Sequence, residues 1–156
     1  VIEAVGVDAA RYSLVRWSMD SPMTLDLDLV TRHDPENPVF YVQYAHARCA
    51  SILREGAAPS DVPGEVEVHP AEAELIKKLL AFPDEIAEAA ERRAPHRIAT
   101  YALELAQAFA AFYRDCPVKD AEPEELKSFR IGLCVSTKRT LARALDLLGV
   151  SAPESM

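Results

Sequence analysis

The chain has 156 residues, a hydrophobic fraction of 49% and a formal net charge of −8. This is enough apolar material for one substantial core, so length and composition predict a single soluble domain. No apolar run approaches the roughly 20 residues of a membrane-spanning helix, and the N-terminus lacks the basic and apolar regions of a secretion signal. On average, the negative charge also disfavours a polyanionic partner such as nucleic acid.

Residues that commonly build reactive or metal sites are sparse in this sequence. Its three cysteines, Cys49, Cys116 and Cys134, are widely spaced and form no CxxC pair, a pattern that favours a reducing cytoplasm over disulfides or zinc. The four histidines lack metal-ligand spacing, and there is no glycine-rich phosphate loop, HExxH or GxSxG motif. We therefore expect no catalytic residue, no metal site and no cofactor bound by this chain.

The first third of the chain predicts two short elements and one long helix. Asp8 is placed to cap a short helix that runs through Arg16, and "TLDLDLV" alternates as a strand does. Pro38 suits the first position of a helix that continues to about Arg54. Residues 56–69 are rich in proline, glycine and acid, and predict a surface loop.

The remainder of the chain predicts four more helices. Residues 71–81 and 84–93 form two short helices separated by "FPD", whose proline begins the second. After Pro95, apolar residues recur at i, i+3, i+4 and i+7, the period of one long helix with a buried stripe. The last helix spans residues 123–148, and Gly149 caps its C-terminus. Short connections predict an all-α antiparallel helical bundle, with one short extended segment near the N-terminus.

The stretch "NPVFYVQYAHARCASIL" places an unusual set of side chains on one helix. Tyr41, Tyr44 and Arg48 share a flank at i, i+3 and i+7, with the small Ala45 beside them. Such a row is a platform on which unpaired bases can stack, each stack contributing about 1–3 kcal/mol. Alternatively, both tyrosines pack at the core boundary with their hydroxyls in water. The adjoining apolar side faces the core, so we assign its His46 no catalytic role.

A basic segment lies within the last predicted helix. Residues 126–145 contain no carboxylate and five basic side chains: Lys127, Arg130, Lys138, Arg139 and Arg143. This segment predicts local affinity for phosphate despite the negative net charge, although a solvated helix face gives the same pattern.

Three blocks resemble the C-terminal region of arginyl-tRNA synthetases, in the same order: "GVDAARYSLVRWSMDSPMTLDLDL", "NPVFYVQYAHARCASIL" and "LDLLGVSAPESM". The intervening "APHRIATYALELAQAFAAFYRDC" fits the helices expected between them, whereas residues 56–91 match only in character. The resemblance implies an all-helical anticodon-binding domain over residues 33–156. It also implies that residues 1–32 connect this domain to a class I catalytic domain upstream.

The resemblance further implies what the longer protein does. Its catalytic domain would use ATP and Mg²⁺ to attach arginine to tRNA, and this chain alone would be inactive. The implied partners are arginine tRNA and the chain's own catalytic domain, in the cytoplasm, with no DNA and no membrane.

Site residues can be carried over at matching positions. The resemblance implies anticodon contacts at three positions, namely Tyr41, Ala45 and Met156. Tyr44 and Arg48 belong to the same motif, with packing and a charge partner or phosphate as their expected roles. Relatives usually carry arginine before the final methionine, where this chain has Ser155. Because serine has no charge to offer a phosphate, that role would fall to one of the basic residues of the last helix: Lys138, Arg139 or Arg143.

Two other functions are compatible with the sequence. A helical protein-interaction module would keep the fold and use the aromatic flank to dock a protein, as Ser155 and the negative charge favour. An autonomous enzyme would need a pocket with converging titratable groups, which the sequence does not indicate.

Overall fold

Seven helices and no strand make up the part of the chain that the computed structural model describes, residues 2–55, 59 and 64–156. The four long helices pack against one another, and the second helix packs against three of them. The predicted all-α helical bundle is therefore confirmed. In chain order the helices are α1 Ile2–Val5, α2 Val7–Val15, α3 Leu27–Thr31, α4 Pro38–Arg54, α5 Pro70–Glu91, α6 His96–Asp115 and α7 Glu124–Leu148.

Part of the loop predicted over residues 56–69 lies outside the described residues, namely 56–58 and 60–63. Residues 64–69 carry no regular secondary structure. None of the helices described is both long enough and apolar enough to cross a bilayer. Nor do the described side chains bring three or more His, Cys, Asp or Glu together in a group that could hold a metal ion.

The extended segment predicted for "TLDLDLV" is wrong, because its second half forms α3. Asp26 precedes this helix, and its Oδ1 accepts a hydrogen bond from the Leu29 amide at 3.0 Å. A side-chain cap of this kind satisfies an amide that has no partner within the helix. Val30 is buried, so the alternation of Leu and Asp serves a capped helical turn rather than a strand.

The sequence predicted Asp8 as the N-cap of α2, but Asp8 lies in the first turn of this helix. Gly6 occupies the cap position with φ 83°. The Asp8 carboxylate instead accepts hydrogen bonds from Gln43 Nε2 at 2.9 Å and from the Ser151 amide at 3.2 Å. Asp8 therefore ties α2 to α4 and to the segment that follows α7.

The two helices predicted over residues 71–81 and 84–93 form one helix, α5, with Pro83 inside it. A proline there removes one backbone hydrogen bond, which explains why the sequence indicated a break. Contacts with α6 favour the continuous helix: the Tyr101 hydroxyl donates to the carbonyl of Lys78, five residues before the proline, at 2.7 Å.

Helix α6 supplies the centre of the core, as its apolar period predicted. Its buried side chains are Ala99, Tyr101, Ala102, Leu105, Ala106, Phe109 and Phe112. The predicted core side of α4 is confirmed for Val42, His46 and Cys49, which are buried, while Leu53 is only half-buried. Cys134 of α7 is a neighbour of Cys49. Burial raises the pKa of the Cys134 thiol to about 12, so this cysteine stays protonated and apolar.

A buried ion pair joins α5 to α7. Arg130 Nε lies 2.6 Å from Glu72 Oε1, and the Glu72 side chain has 0% exposure. The second carboxylate oxygen accepts a hydrogen bond from the His69 amide at 2.7 Å, and Arg130 Nη1 donates to the Pro117 carbonyl at 2.8 Å. Arg130, one of the five basic residues of the predicted basic segment, is therefore neutralised by a buried carboxylate of the protein itself.

We predict that Arg130→Met lowers the free energy of unfolding by about 3–5 kcal/mol, because it leaves the Glu72 carboxylate buried without a counter-charge. Urea unfolding measures the loss. Arg143→Met is the matched control on the same helix, because both side chains of the Arg143–Asp146 ion pair are exposed. This pair should contribute less than about 1 kcal/mol to stability. Equal losses in the two variants would contradict the prediction.

The C-terminus of α7 ends at Gly149, as predicted. Gly149 has φ 67° and ψ 33°, the left-handed conformation that glycine adopts without strain. Its amide donates to the Asp146 carbonyl and the Val150 amide to the Leu145 carbonyl, both at 2.9 Å. Arg11 Nη1 donates to the Gly149 carbonyl at 2.7 Å, so the cap also contacts α2.

Substitution by alanine should change the stability of the protein in opposite directions at the two glycines of α7, Gly132 inside the helix and Gly149 at its C-terminal cap. Gly149→Ala should destabilise the protein by at least about 1–2 kcal/mol, the cost of a side chain in the left-handed conformation. Its new Cβ would also lie 2.6 Å from Arg11 Nη1. Gly132→Ala meets nothing within 4 Å and should stabilise α7 by about 0.5–1 kcal/mol. Thermal unfolding compares the variants, and a stabilised Gly149→Ala would refute the assignment of the cap.

Candidate nucleic-acid interface

A groove with a volume of about 180 Å³ runs between α4 and α6. Its lining includes three alanines, Ala45 from α4 and Ala106 and Ala110 from α6. Such small side chains leave room for a flat group to approach the helix backbones. Around them the lining residues are mainly aromatic: Phe40, Tyr41, Tyr44, Phe109 and Tyr113, together with Pro35, Arg48 and Arg114.

The four platform residues of α4 lie together in this groove, which confirms that they share one flank. Ala45 is buried, Tyr41 is half-buried and Tyr44 is exposed. The Tyr44 ring stacks on Phe40 with ring centroids 6.1 Å apart and an interplanar angle of 14°. The aromatic faces are therefore held in place before any ligand arrives, while their roles in binding stay a prediction.

The sequence reasoning missed the second wall of the groove, which α6 provides. Tyr113 lies one turn after Phe109, and the two ring centroids are 6.1 Å apart with 29° between the planes. Ala106, Ala110 and Tyr113 follow one another at i, i+4 and i+7, a spacing that could have indicated this wall. It remained hidden because the apolar period of α6 also serves the core and does not say which neighbour each side chain faces.

Arg48 is the cation of the groove that lacks a carboxylate partner among the described residues. Its Cζ lies 5.1 Å from the ring centroids of both Tyr44 and Tyr113, and Nη2 donates a hydrogen bond to the Tyr44 hydroxyl. This hydrogen bond raises the pKa of Arg48, against the opposing effect of burial. Arg114, by contrast, makes two hydrogen bonds to Asp115, at 2.7 and 2.9 Å.

The geometry of the groove suits a planar, conjugated group that carries hydrogen-bond acceptors. Aromatic faces and small alanine side chains accept the plane of such a group, and the remaining N–H groups of Arg48 can reach its acceptors. None of the residues that line the groove is an aspartate or glutamate. The site is therefore locally cationic although the chain is acidic overall.

The three basic residues of α7 predicted to meet phosphate lie outside the groove and differ in their surroundings. Lys138 Nζ pairs with Glu154 Oε2 at 2.8 Å, and Arg143 Nη1 with Asp146 Oδ2 at 2.6 Å. Arg139 is exposed and has no ion pair within the ranges that the structure covers. Two of the three charges are thus partly neutralised by neighbouring carboxylates.

Met156 also lies outside the lining of the groove. This residue is 54% exposed, and residues just before it contact α4. The structure therefore gathers the α4 residues of the predicted site into one groove but leaves the C-terminal methionine and the α7 cations elsewhere.

Comparison with known proteins shows the family of the chain. Residues 42–156 match the family model of the DALR anticodon-binding domain. The chain belongs to this family. The matched range contains most of α4 and all of α5 to α7, whereas the groove residues Pro35, Phe40 and Tyr41 precede it.

The proteins similar to this chain include arginine–tRNA ligases. The chain is 50% identical over 165 aligned positions to the arginine–tRNA ligase of Frankia alni, covering all of this chain and 30% of the relative. It superposes on the arginyl-tRNA synthetase of Thermus thermophilus with a TM-score of 0.87 and 38% identity, over 98% of this chain and 27% of that one. The synthetase of Plasmodium falciparum gives 0.84 and 27% identity, over 99% and 27% of the two chains. The chain thus spans less than a third of each.

We predict that Arg48 contributes little to the stability of the DALR domain. Arg48→Met should lower the free energy of unfolding by about 0.5–1 kcal/mol, the range of exposed cation–π contacts. Urea unfolding beside Arg130→Met makes the comparison. A loss as large as that of Arg130→Met would show that Arg48 is a structural residue instead of one available to a ligand.

Proposed function

We propose that this chain is the anticodon-binding region of an arginine–tRNA ligase and that the groove between α4 and α6 receives unstacked bases of the anticodon arm. The observation that carries the proposal is the gathering of Tyr41, Tyr44, Ala45 and Arg48 in one aromatic groove without a carboxylate. Family membership and the named relatives support it. The protein-docking alternative has no comparable support, because those relatives are tRNA synthetases.

Each groove residue has a distinct role in this proposal. Tyr41 offers its face to a splayed base, and Ala45 lets that base approach the α4 backbone. Tyr44, whose ring contacts Phe40 and Arg48, packs beside them. Arg48 donates to acceptor atoms of a base edge or of the adjacent phosphate. Because unpaired bases expose both their faces and their hydrogen-bonding edges, such a groove can read sequence as well as shape.

Contacts outside the groove complete the proposed interface. Arg139, which is exposed, meets a backbone phosphate, and Lys138 and Arg143 add to the local positive potential. Met156 packs its thioether against a base. The acidic net charge does not prevent binding in this arrangement, because several carboxylates of α5 pair with basic side chains of the protein: Glu85 and Glu88, for example, pair with Arg97 at 3.1 and 2.6 Å.

The chemistry of aminoacylation belongs to the longer protein in this proposal. A class I catalytic domain would activate arginine with ATP and Mg²⁺ in the cytoplasm, and residues 1–32 would connect it to the DALR domain. This chain then recognises arginine tRNA and contributes no catalytic residue, and neither DNA nor a membrane is a partner.

Tyr41→Ala should weaken binding of this chain to the anticodon stem-loop of arginine tRNA by roughly 5- to 150-fold, the equivalent of removing one stack of about 1–3 kcal/mol. Fluorescence anisotropy measures the affinity at two salt concentrations, because phosphate contacts alone weaken steeply with salt.

Leu80→Ala is the control for Tyr41→Ala, since Leu80 is an exposed hydrophobic residue of α5 that does not line the groove. It should leave the affinity unchanged. If Tyr41→Ala binds as tightly as the wild type while retaining its unfolding temperature, the proposed role of the groove is wrong.

A further inference from the structure

The residues that follow α7 form a tail, residues 150–156, which runs along α4. Val150 is buried and Ala152 is half-buried against the core, so the tail begins as a packed segment. Three side chains of α4 then contact three backbone carbonyls of the tail. Gln43 Nε2 donates to the Ser151 carbonyl at 2.9 Å, His46 Nδ1 lies 2.8 Å from the Pro153 carbonyl, and Arg54 Nη1 donates to the Glu154 carbonyl at 2.6 Å.

Two of these three side chains, His46 and Gln43, are buried polar groups with little access to water as an alternative hydrogen-bond partner. His46 is 1% exposed and Gln43 is 8% exposed. A carbonyl can only accept a hydrogen bond, so His46 Nδ1 must carry a proton and donate it to the Pro153 carbonyl. A buried polar group without a partner is costly. The tail supplies an acceptor to His46, and it shares Gln43 Nε2 with the Asp8 carboxylate of α2.

Two carboxylates fix the tail at its ends. Near its start, Asp8 accepts hydrogen bonds from the Ser151 amide and from Gln43 Nε2, at 3.2 and 2.9 Å. Near its end, the Glu154 carboxylate pairs with Lys138 at 2.8 Å, and the hydrogen bond from Lys138 lowers the pKa of Glu154. The tail is therefore held by backbone and side-chain contacts up to residue 154.

The tail and the groove use different sides of the same helix. With an advance of about 100° per residue, Gln43, His46 and Arg54 lie roughly 140–220° around α4 from Tyr41. The tail contacts can therefore be changed without touching the groove. Met156 lies two residues beyond the last of these contacts, and this residue is 54% exposed.

We propose that Gln43 and His46 are positioning residues that hold the tail along α4, so that Met156 is presented to the tRNA at a fixed place. The inference rests on the proposed function, in which Met156 contacts a base. Its physical basis is preorganisation: a loose tail would lose conformational entropy when it binds, whereas a docked tail has lost it already.

The test compares single and double substitutions in this chain. His46→Leu removes the donor to the Pro153 carbonyl, whereas His46→Asn keeps an N–H donor near the place of ring Nδ1. We expect His46→Leu and Met156→Ala each to weaken binding of the anticodon stem-loop by about 2- to 10-fold, the range of one thioether contact. The double variant should lose no more than either single variant, and His46→Asn should bind as the wild type does.

A second readout follows the tail in the free protein. Carboxypeptidase should remove the C-terminal residues faster from His46→Leu than from the wild type or from His46→Asn, because a released tail is accessible to the enzyme. Arg54→Met gives the same test at an exposed position, in case His46→Leu does not fold. It should also speed release and weaken binding.

Tyr12→Phe separates positioning from general stability. The Tyr12 hydroxyl makes another buried hydrogen bond to a carbonyl, that of Ala99 at 2.9 Å, away from the tail. This variant should lose stability without losing affinity. Equal affinity losses in Tyr12→Phe and His46→Leu, or additive losses in the double variant with Met156→Ala, would overturn the positioning role. Failure of the wild type to bind the stem-loop would instead overturn the proposed function, and the positioning role with it.

Discussion

Helix α4 is packed on several sides, and this burial decides where a ligand can reach it. Val42 and Cys49 face the core, and the C-terminal tail covers the side that carries Gln43 and His46. The flank that begins at Tyr41 lines the groove with α6. A helix with a polar, aromatic and small-residue surface thus presents only its aromatic flank as a binding site, since its buried polar groups already have partners within the protein.

Local charge, not net charge, governs the electrostatics of this site. The chain carries −8 overall, yet no carboxylate residue lines the groove. Arg48 interacts there with two tyrosines, while Arg130 in α7 is engaged by the buried Glu72. Because fixed charges are screened by salt within about 10 Å, an acidic surface elsewhere has little effect on an anion in the groove. A polyanionic partner is therefore compatible with an acidic protein.

The parts of the fold that follow from local rules could be predicted from the sequence. The apolar period of α6, the flank of α4 and the glycine cap of α7 depend on residues a few positions apart, and all three are confirmed. Pro83 in α5 shows where such rules fail, because contacts such as that between Tyr101 and Lys78 favour a continuous helix over the local preference of proline. The strand predicted over the segment that contains α3 is wrong for a related reason, because alternating Leu and Asp fit both a strand and a capped helical turn.

The residues of the candidate site likewise fall into those that local sequence spacing predicts and those that depend on long-range packing. Four of its residues share one helix flank, so helical spacing alone placed them together. The opposite wall with Tyr113, and the partner of His46 in the tail, depend on packing between residues that are far apart along the chain. Periodicity predicts that such residues are buried or lie on a face, but it does not say which element they meet.

The most direct test of the account is the affinity of this chain for arginine tRNA compared with the same tRNA carrying a replaced anticodon, titrated at low and high salt. If the groove reads the anticodon, the cognate tRNA binds more tightly and this preference persists at high salt, because contacts to bases depend less on counterion release than contacts to phosphates do. Equal affinity for the two tRNAs at both salt concentrations would contradict the claim that the groove reads the anticodon.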